Sequence, residues 1–230
     1  MSRGLGDVYK RQAIMNGIDG GELISPTLTF EAINQFASKT MKTNVVRVPM
    51  TKEIGIDLKT TGQMVNSKTN MVYLCNPNNP TGVIMNPKEL EVFCKETSKK
   101  SIVFVDEAYH EYVMDKQYRS MVSLVNEGYD VLISRTASKV HGLAGLRVGY
   151  AISTPKIIKR LNSYMNGSLN VVGLRGAIAS YKDKRFQKFS IEKNNEGRTI
   201  VTDYLDKKGI EYLDSQTNFI FINTGIDIKK

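Results

Sequence analysis

Short apolar runs recur along the chain up to about residue 153 and alternate with segments whose apolar residues follow a helical spacing. The apolar runs predict buried strands at 22–25, 44–48, 71–75, 101–105, 131–133 and 148–152. Helices are predicted at 30–40, at 57–65 and from Asn86-Pro87, where Glu89 completes a capping-box pattern. Strands that alternate with helices are typical of a mostly parallel sheet flanked by helices, so the predicted class is α/β.

The pattern changes after Pro155, where helical spacing predominates. A long charged helix is predicted from about Asp183 to Lys208, and Gly209 is expected to end it because glycine favours the left-handed backbone that closes many helices. Two short strands are predicted after this helix, at 211–213 and 218–222.

Length and composition are compatible with one large domain and part of another. The chain has 230 residues, of which 41% are hydrophobic, and it can bury one substantial core. We expect a large domain at 13–182 and the beginning of a smaller α+β domain at 183–230. Residues 1–12 follow neither period and are expected to be a non-native or disordered end.

Composition also argues against several function classes. No apolar run approaches the length of a membrane span and no signal-peptide pattern opens the chain, so a soluble, cytoplasmic protein is expected. The two cysteines and two histidines form neither a metal-binding pattern nor a disulfide framework. The net charge is +9, but the lysines are interspersed with acidic residues, which is typical of solvated helix faces and not of a nucleic-acid site.

Polar motifs follow the ends of neighbouring apolar runs. They are NPNNPTG at 76–82, Asp106 to Tyr109, and Thr136 to Lys139. In open α/β sheets, ligands bind outside the carboxyl ends of the strands. We therefore expect the three motifs to face one crevice.

The third motif carries the most specific chemistry. Lys139 stands beside the hydroxyls of Thr136 and Ser138, and Arg147 follows eight residues later. A lysine amine can condense with an aldehyde to a Schiff base, and hydroxyls with a guanidinium can share a phosphate dianion. This combination indicates pyridoxal phosphate (PLP), which is usually held by a lysine. A solvated basic loop is the alternative for this stretch alone.

The other motifs offer groups for the PLP ring. Asp106 follows an apolar run, and a shielded carboxylate needs a cationic partner such as a protonated pyridine nitrogen. Tyr109 and the amides of 76–82 could reach the ring hydroxyl, and Phe30 could stack on the ring face. Taken singly, each also has another explanation: Asp106 fits a helix N-cap, and Tyr109 fits a packed side chain. Residues 76–82 fit a turn, and Phe30 fits a core aromatic.

With these motifs in this order, the sequence resembles the fold-type I PLP-dependent aminotransferases of class I/II, and among them most the histidinol-phosphate aminotransferases. The likeness extends over about residues 20–223. It is carried by LCNPNNPTG (74–82), VDEAYHEY (105–112) and SRTASKVHGLAGLRVGY (134–150), with weaker support from 25–33 and 217–222.

The resemblance implies a role for each matching residue. Lys139 would bind PLP covalently and later move the proton between substrate carbon and cofactor. Asp106 would pair with the pyridine nitrogen, while Asn79 and Tyr109 would contact the ring hydroxyl.

The phosphate would be held by Thr136, Ser138 and Arg147, and Phe30 would stack on the ring. Such enzymes are homodimers with the site at the subunit interface, so a homodimer is implied for the whole protein. Family features that lie before about residue 20 and beyond residue 230, including the arginine that binds the substrate carboxylate, are not visible, so the chain is expected to be an internal fragment.

The activity implied is transfer of an amino group between an amino acid-like donor and a 2-oxo acid. Histidinol phosphate with 2-oxoglutarate, in histidine biosynthesis, is the expected pair. The alternatives are a PLP-dependent decarboxylase or lyase, such as threonine-phosphate decarboxylase, and an inactive PLP-binding fragment. An anion-binding protein that acts through its positive charge is a more distant alternative.

Overall fold

The structure, a computed structural model, describes residues 20–41, 43–164 and 170–226, so the predicted end at 1–12 lies outside the described residues. The strands are β1 (Glu22–Pro26), β2 (Asn44–Val48), β3 (Thr69–Cys75), β4 (Ile102–Asp106), β5 (Val131–Thr136) and β6 (Gly149–Ile152). They form one sheet in the order β2-β1-β3-β4-β5-β6. All neighbouring pairs are parallel except β5 and β6, which are antiparallel. The predicted α/β class with a mostly parallel sheet is confirmed.

Helices connect the strands and cover the sheet. They are α1 (Glu31–Thr40), α2 (Leu58–Met64), α3 (Pro87–Thr97), α4 (Val122–Asn126), α5 (Pro155–Asn162), α6 (Val171–Lys182) and α7 (Lys184–Lys208). Asn86 caps α3 as predicted, since its side chain accepts hydrogen bonds from the backbone N–H groups of Lys88 and Glu89. Gly209 ends α7 with φ of +63°, in the left-handed region that glycine tolerates.

The core has two apolar layers because successive strand residues point to opposite faces of the sheet. On β3, Val72 and Leu74 join a cluster with Leu90 and Phe93 of α3. The alternate residues of β3 join a second cluster on the other face, which α1 and α5 cover; its buried members are Leu23, Ile33, Ala37, Met71, Tyr73, Cys75, Phe104, Leu132, Ile157 and Leu161. The two layers fix the sheet and hence the ends of its strands.

The segment after α7 differs from the prediction. The strands predicted at 211–213 and 218–222 are wrong, because the structure has only an isolated antiparallel bridge between Tyr212 and Ile222. Within the described ranges no third strand pairs with these segments, and an isolated two-stranded pair gains little stability on its own. No helix in the described part of the chain combines the length and apolar character needed to cross a membrane.

Candidate active site

The parallel strands β3, β4 and β5 are neighbours, so their carboxyl ends lie at one edge of the sheet. Asn76 follows β3, while Asp106 and Thr136 are the last residues of β4 and β5. The register pairs Cys75 with Asp106 and Asp106 with Ser134. The three polar motifs therefore begin at neighbouring positions of the same edge.

The loop at 76–82 is shaped by its own buried side chains. Asn78 donates from Nδ2 to the carbonyl of Leu28 (3.0 Å) and to Thr81 Oγ1 (2.9 Å), and it accepts from Thr29 Oγ1 (2.9 Å). These bonds tie the loop to the segment that leads into α1. Phe30 follows in that segment, is partly buried and packs on the apolar cluster under α1.

Asn79, Tyr109 and Lys139 meet at this edge. Asn79 Nδ2 donates to Tyr109 Oη at 3.1 Å, and Lys139 Nζ lies 4.8 Å from the centroid of the Tyr109 ring. The ring of Tyr109 is buried and contacts Phe219 edge-on, with the centroids 5.1 Å apart. Packing thus fixes Tyr109, which contacts both the Asn79 amide and the Lys139 amine.

Asp106 has a hydroxyl donor at each carboxylate oxygen. Ser134 Oγ donates to Oδ1 at 2.5 Å, and Tyr73 Oη donates to Oδ2 at 3.4 Å. Among the described residues no side chain forms an ion pair with Asp106. A partly shielded carboxylate with hydroxyl donors only is suited to accept a cationic group of a ligand.

The predicted phosphate-binding residues lie where β5 ends and β6 begins. Thr136 Oγ1 donates to the carbonyl of Val148 (3.3 Å), and the N–H of Ala137 donates to the same carbonyl (2.9 Å), so Arg147 lies next to this turn. Ser138 N donates to Thr136 Oγ1 (3.1 Å). The Ser138 hydroxyl oxygen is buried without a hydrogen-bond partner in the part of the chain that is described.

Arg147 adopts the left-handed conformation with φ of +57°, and its Nη1 donates to the carbonyl of Ala144 at 2.9 Å. This conformation is uncommon for a non-glycine residue and costs on the order of 1–3 kcal/mol, a strain often found at ligand-binding positions. The unpaired hydroxyl of Ser138 and the strained Arg147 both fit an anionic group bound at this turn.

Sequence reasoning missed a buried ion pair below the edge. Glu107 accepts hydrogen bonds from Arg135 Nε (3.1 Å) and Nη2 (2.9 Å). It also accepts from Ser120 Oγ and from the N–H of Met121. Glu107 and Arg135 directly follow Asp106 and Ser134 in the sequence, and the apolar patterns that located the strands carry no information on such a pairing.

A second missed cluster joins both histidines to one carboxylate. His110 Nδ1 lies 3.0 Å from Glu111 Oε2, and His141 Nε2 lies 3.5 Å from Glu111 Oε1. His141 Nδ1 is 2.9 Å from Ser180 Oγ on α6. Burial alone would raise the pKa of Glu111, but the two histidines close to its carboxylate outweigh burial and lower that pKa to about 2. The cluster connects the segment after Tyr109 and the loop of Lys139 with α6.

The sequence is similar to those of known aminotransferases. The sequence profile of the family described as "Aminotransferase class I and II" matches residues 10–226. A histidinol-phosphate aminotransferase from Brevibacillus brevis is 37% identical over 215 residues, which cover 91% of this chain and 57% of the relative. Histidinol-phosphate aminotransferase 2 from Hydrogenovibrio crunogenus is 34% identical over 212 residues, 92% of this chain and 56% of the relative.

The fold has close counterparts among solved structures. The crystal structure of histidinol-phosphate aminotransferase from Sinorhizobium meliloti in complex with pyridoxal-5'-phosphate superposes with a TM-score of 0.87 at 24% identity, over 97% of this chain and 61% of that one. The chain spans little more than half the length of the curated relatives that it matches. By the extent of the profile match and the shared fold, the chain belongs to the class I and II aminotransferase family.

Proposed function

We propose that this chain carries the cofactor-binding part of an aminotransferase that uses PLP to transfer an amino group from an amino donor to a 2-oxo acid. The observation that carries the proposal is the meeting of Lys139 Nζ and the Asn79–Tyr109 pair at one sheet edge, where Asp106 has no cationic partner among the described residues. Histidinol phosphate with 2-oxoglutarate is the proposed substrate pair, supported by the names of relatives that are 34–37% identical.

The side chains present fit PLP. Asp106 offers a carboxylate to the pyridine nitrogen, and the Asn79–Tyr109 pair offers an amide and a hydroxyl to the ring oxygen. Ser138 brings a buried hydroxyl without a partner in the described part of the chain, and Arg147 brings a cation to the same turn.

Two further side chains complete the proposed set. Thr136 Oγ1 already donates to Val148 and accepts from Ser138, so we assign it to shaping the phosphate turn as well as to binding. Phe30 packs at the start of α1, in a segment tied to the 76–82 loop, which supports a role against the ring face.

Lys139 is the proposed proton carrier. PLP, when bound, supplies an electron sink for the carbanion left when the donor loses its Cα proton. Lys139 Nζ would take up that proton and return it, and the buried ring of Tyr109 beside it would help to hold the amine in place. Asp106 would supply the negative charge that keeps the ring nitrogen of PLP protonated.

The domain organisation and partners belong to the same proposal. We assign 13–182 to a large domain and 183–230 to the beginning of a small domain; the cap of α7 by Asp183, which separates it from α6, supports this boundary. A homodimer is proposed for the whole protein, supported by the exposed apolar side chains of α6 at Val171, Val172 and Ile178. Two buried, unpaired cysteines are compatible with a cytoplasmic location.

The test is chemical trapping of PLP. The chain is mixed with PLP, reduced with borohydride and digested, and the modified residue is located by mass spectrometry. We expect an adduct on Lys139 and none in Lys139→Ala, whereas Lys156→Ala, at an exposed lysine of α5, keeps it. A folded wild-type chain without the adduct would refute the cofactor assignment. The amino donor is then identified with the whole protein, where glutamate formation from histidinol phosphate and 2-oxoglutarate supports the proposed pair and release of carbon dioxide points to a decarboxylase.

A further inference from the structure

The carboxylate of Asp106 is held by hydroxyls on both neighbouring strands. Ser134 on β5 donates to Oδ1 at 2.5 Å, and Tyr73 on β3 donates to Oδ2 at 3.4 Å. Ser134 is 1% exposed and Tyr73 is fully buried. Both donors are therefore shielded from water that would compete for their hydrogen bonds.

The sheet itself fixes the position of these donors. Ser134 is the register partner of Asp106, and Tyr73 precedes by two residues Cys75, the register partner on the other side. The Tyr73 ring packs on Phe104 with centroids 5.2 Å apart. The carbonyl of Ser134 also accepts from the N–H of Glu107 at 2.9 Å, so the backbone just after Asp106 is held by the same residue.

A hydroxyl that donates to a carboxylate has two effects. It stabilises the ionised form, and it restricts rotation of the carboxylate plane. A pyridine nitrogen keeps its proton best when a carboxylate that is ionised and fixed in place lies against it. An ionised Asp106 with restricted rotation would meet this requirement.

We propose that Ser134 is a positioning residue that acts through Asp106 to keep the ring nitrogen of the cofactor protonated, with Tyr73 as a weaker second donor. The inference rests on the proposed function and extends it to two residues for which the family resemblance implied no role. Ser134 does not touch the cofactor itself; its effect passes through Oδ1 of Asp106.

The expected effects of Ser134→Ala are measured on the PLP-loaded chain. Loss of a hydrogen bond to a charged group should raise the dissociation constant for PLP by about tenfold. The visible absorption band reports protonation of the linkage between the cofactor and Lys139, and the midpoint of its pH titration should move to higher pH by about half a unit. The reason is that a ring nitrogen that is protonated less firmly repels the proton of this linkage less. Tyr73→Phe should shift both quantities in the same direction by less, because its bond is longer.

Matched variants separate positioning from general loss of a buried hydroxyl. Ser101→Ala removes a buried hydroxyl just before β4, at the other end of the sheet, and should change neither quantity. Ser134→Thr keeps the hydroxyl and should keep the wild-type titration midpoint.

The outcomes are distinguishable from failure of the proposed function. No PLP adduct on wild-type Lys139 refutes that function and this inference together. An intact wild-type adduct with an unchanged midpoint in folded Ser134→Ala refutes the inference alone, even if affinity falls, because a merely structural role would lower affinity without moving the titration. If Ser134→Ala does not fold, Tyr73→Phe decides: a shift to higher pH supports the inference, and an unchanged midpoint overturns it.

Discussion

The ion pair between Glu107 and Arg135 joins the ends of β4 and β5 below the candidate site, and we expect its disruption to destabilise the chain strongly. The side chain of Glu107 is 1% exposed and that of Arg135 is 18% exposed. Glu107→Gln removes the negative charge and replaces an acceptor oxygen by an NH₂ group. That group must then face either the Arg135 guanidinium or the N–H of Met121, both of which can only donate.

The magnitude follows from the burial of the two charges. Removing one member of a buried pair costs roughly 3–5 kcal/mol because the other charge is left without its partner. Burial would lower the pKa of Arg135, but the charge and hydrogen bonds of Glu107 raise it overall. A guanidinium is not deprotonated in proteins even without such a partner, so the arginine stays cationic when Glu107 is replaced. Arg135 retains some access to water and a contact with Tyr150, which favours the lower end of that range, about 3 kcal/mol.

Urea unfolding of the chain without PLP measures this loss. The double variant Glu107→Leu with Arg135→Met leaves no unpaired charge and should recover more than half of the loss, as expected for apolar replacement of a buried pair. Glu91→Gln removes one partner of the exposed Glu91–Lys95 pair on α3 and should leave the free energy of unfolding nearly unchanged. An unfolding free energy of Glu107→Gln equal to that of the wild type, or a double variant less stable than Glu107→Gln, would refute the reasoning.

Three further substitutions test other contacts. Gly82 has φ of +75°, and a Cβ there would overlap the side chain of Ser215. Gly82→Ala should therefore cost about 1–3 kcal/mol and lower the midpoint of thermal unfolding. Gly145→Ala, where the space around the glycine is open, should not lower it. The pKa of Glu111 is lowered from its usual 4.5 to about 2, so its contribution to stability is complete above about pH 5 and is lost as the pH falls toward 2; Glu111→Gln should flatten this acid limb in a series of urea titrations. Asn86→Ala removes the side-chain cap of α3 and should cost about 1 kcal/mol in the same urea assay, and no change would show that water replaces the cap without loss.

The strands and the polar motifs could be predicted because each is encoded by neighbours in the sequence. Asp106 and Lys139 stand just after apolar runs, and the rule that parallel strands share a carboxyl edge was enough to bring them together. Ser134 could not be assigned in this way, because its bond to Asp106 depends on the register between β4 and β5. The strands predicted at 211–213 and 218–222 were wrong because an apolar run specifies a strand only where a neighbouring strand can pair with it.

The register of β4 and β5 also explains how one sheet edge can combine the proposed cofactor site with a stabilising ion pair. Asp106 and Ser134 are partners across the two strands, and the residues that follow them, Glu107 and Arg135, form the buried ion pair. Because side chains alternate along a strand, Ser134 lies on the face of the Leu132 cluster and Arg135 lies on the opposite face with the Ile133 cluster. Arg135, which directly follows the register partner of Asp106, is thereby directed away from the Asp106 carboxylate. In the described part of the chain that carboxylate therefore has no cationic side chain as a partner. Substitutions on the two faces should therefore separate: those at Ser134 should act on the pH titration of bound PLP, and those at Glu107 should act first on the free energy of unfolding.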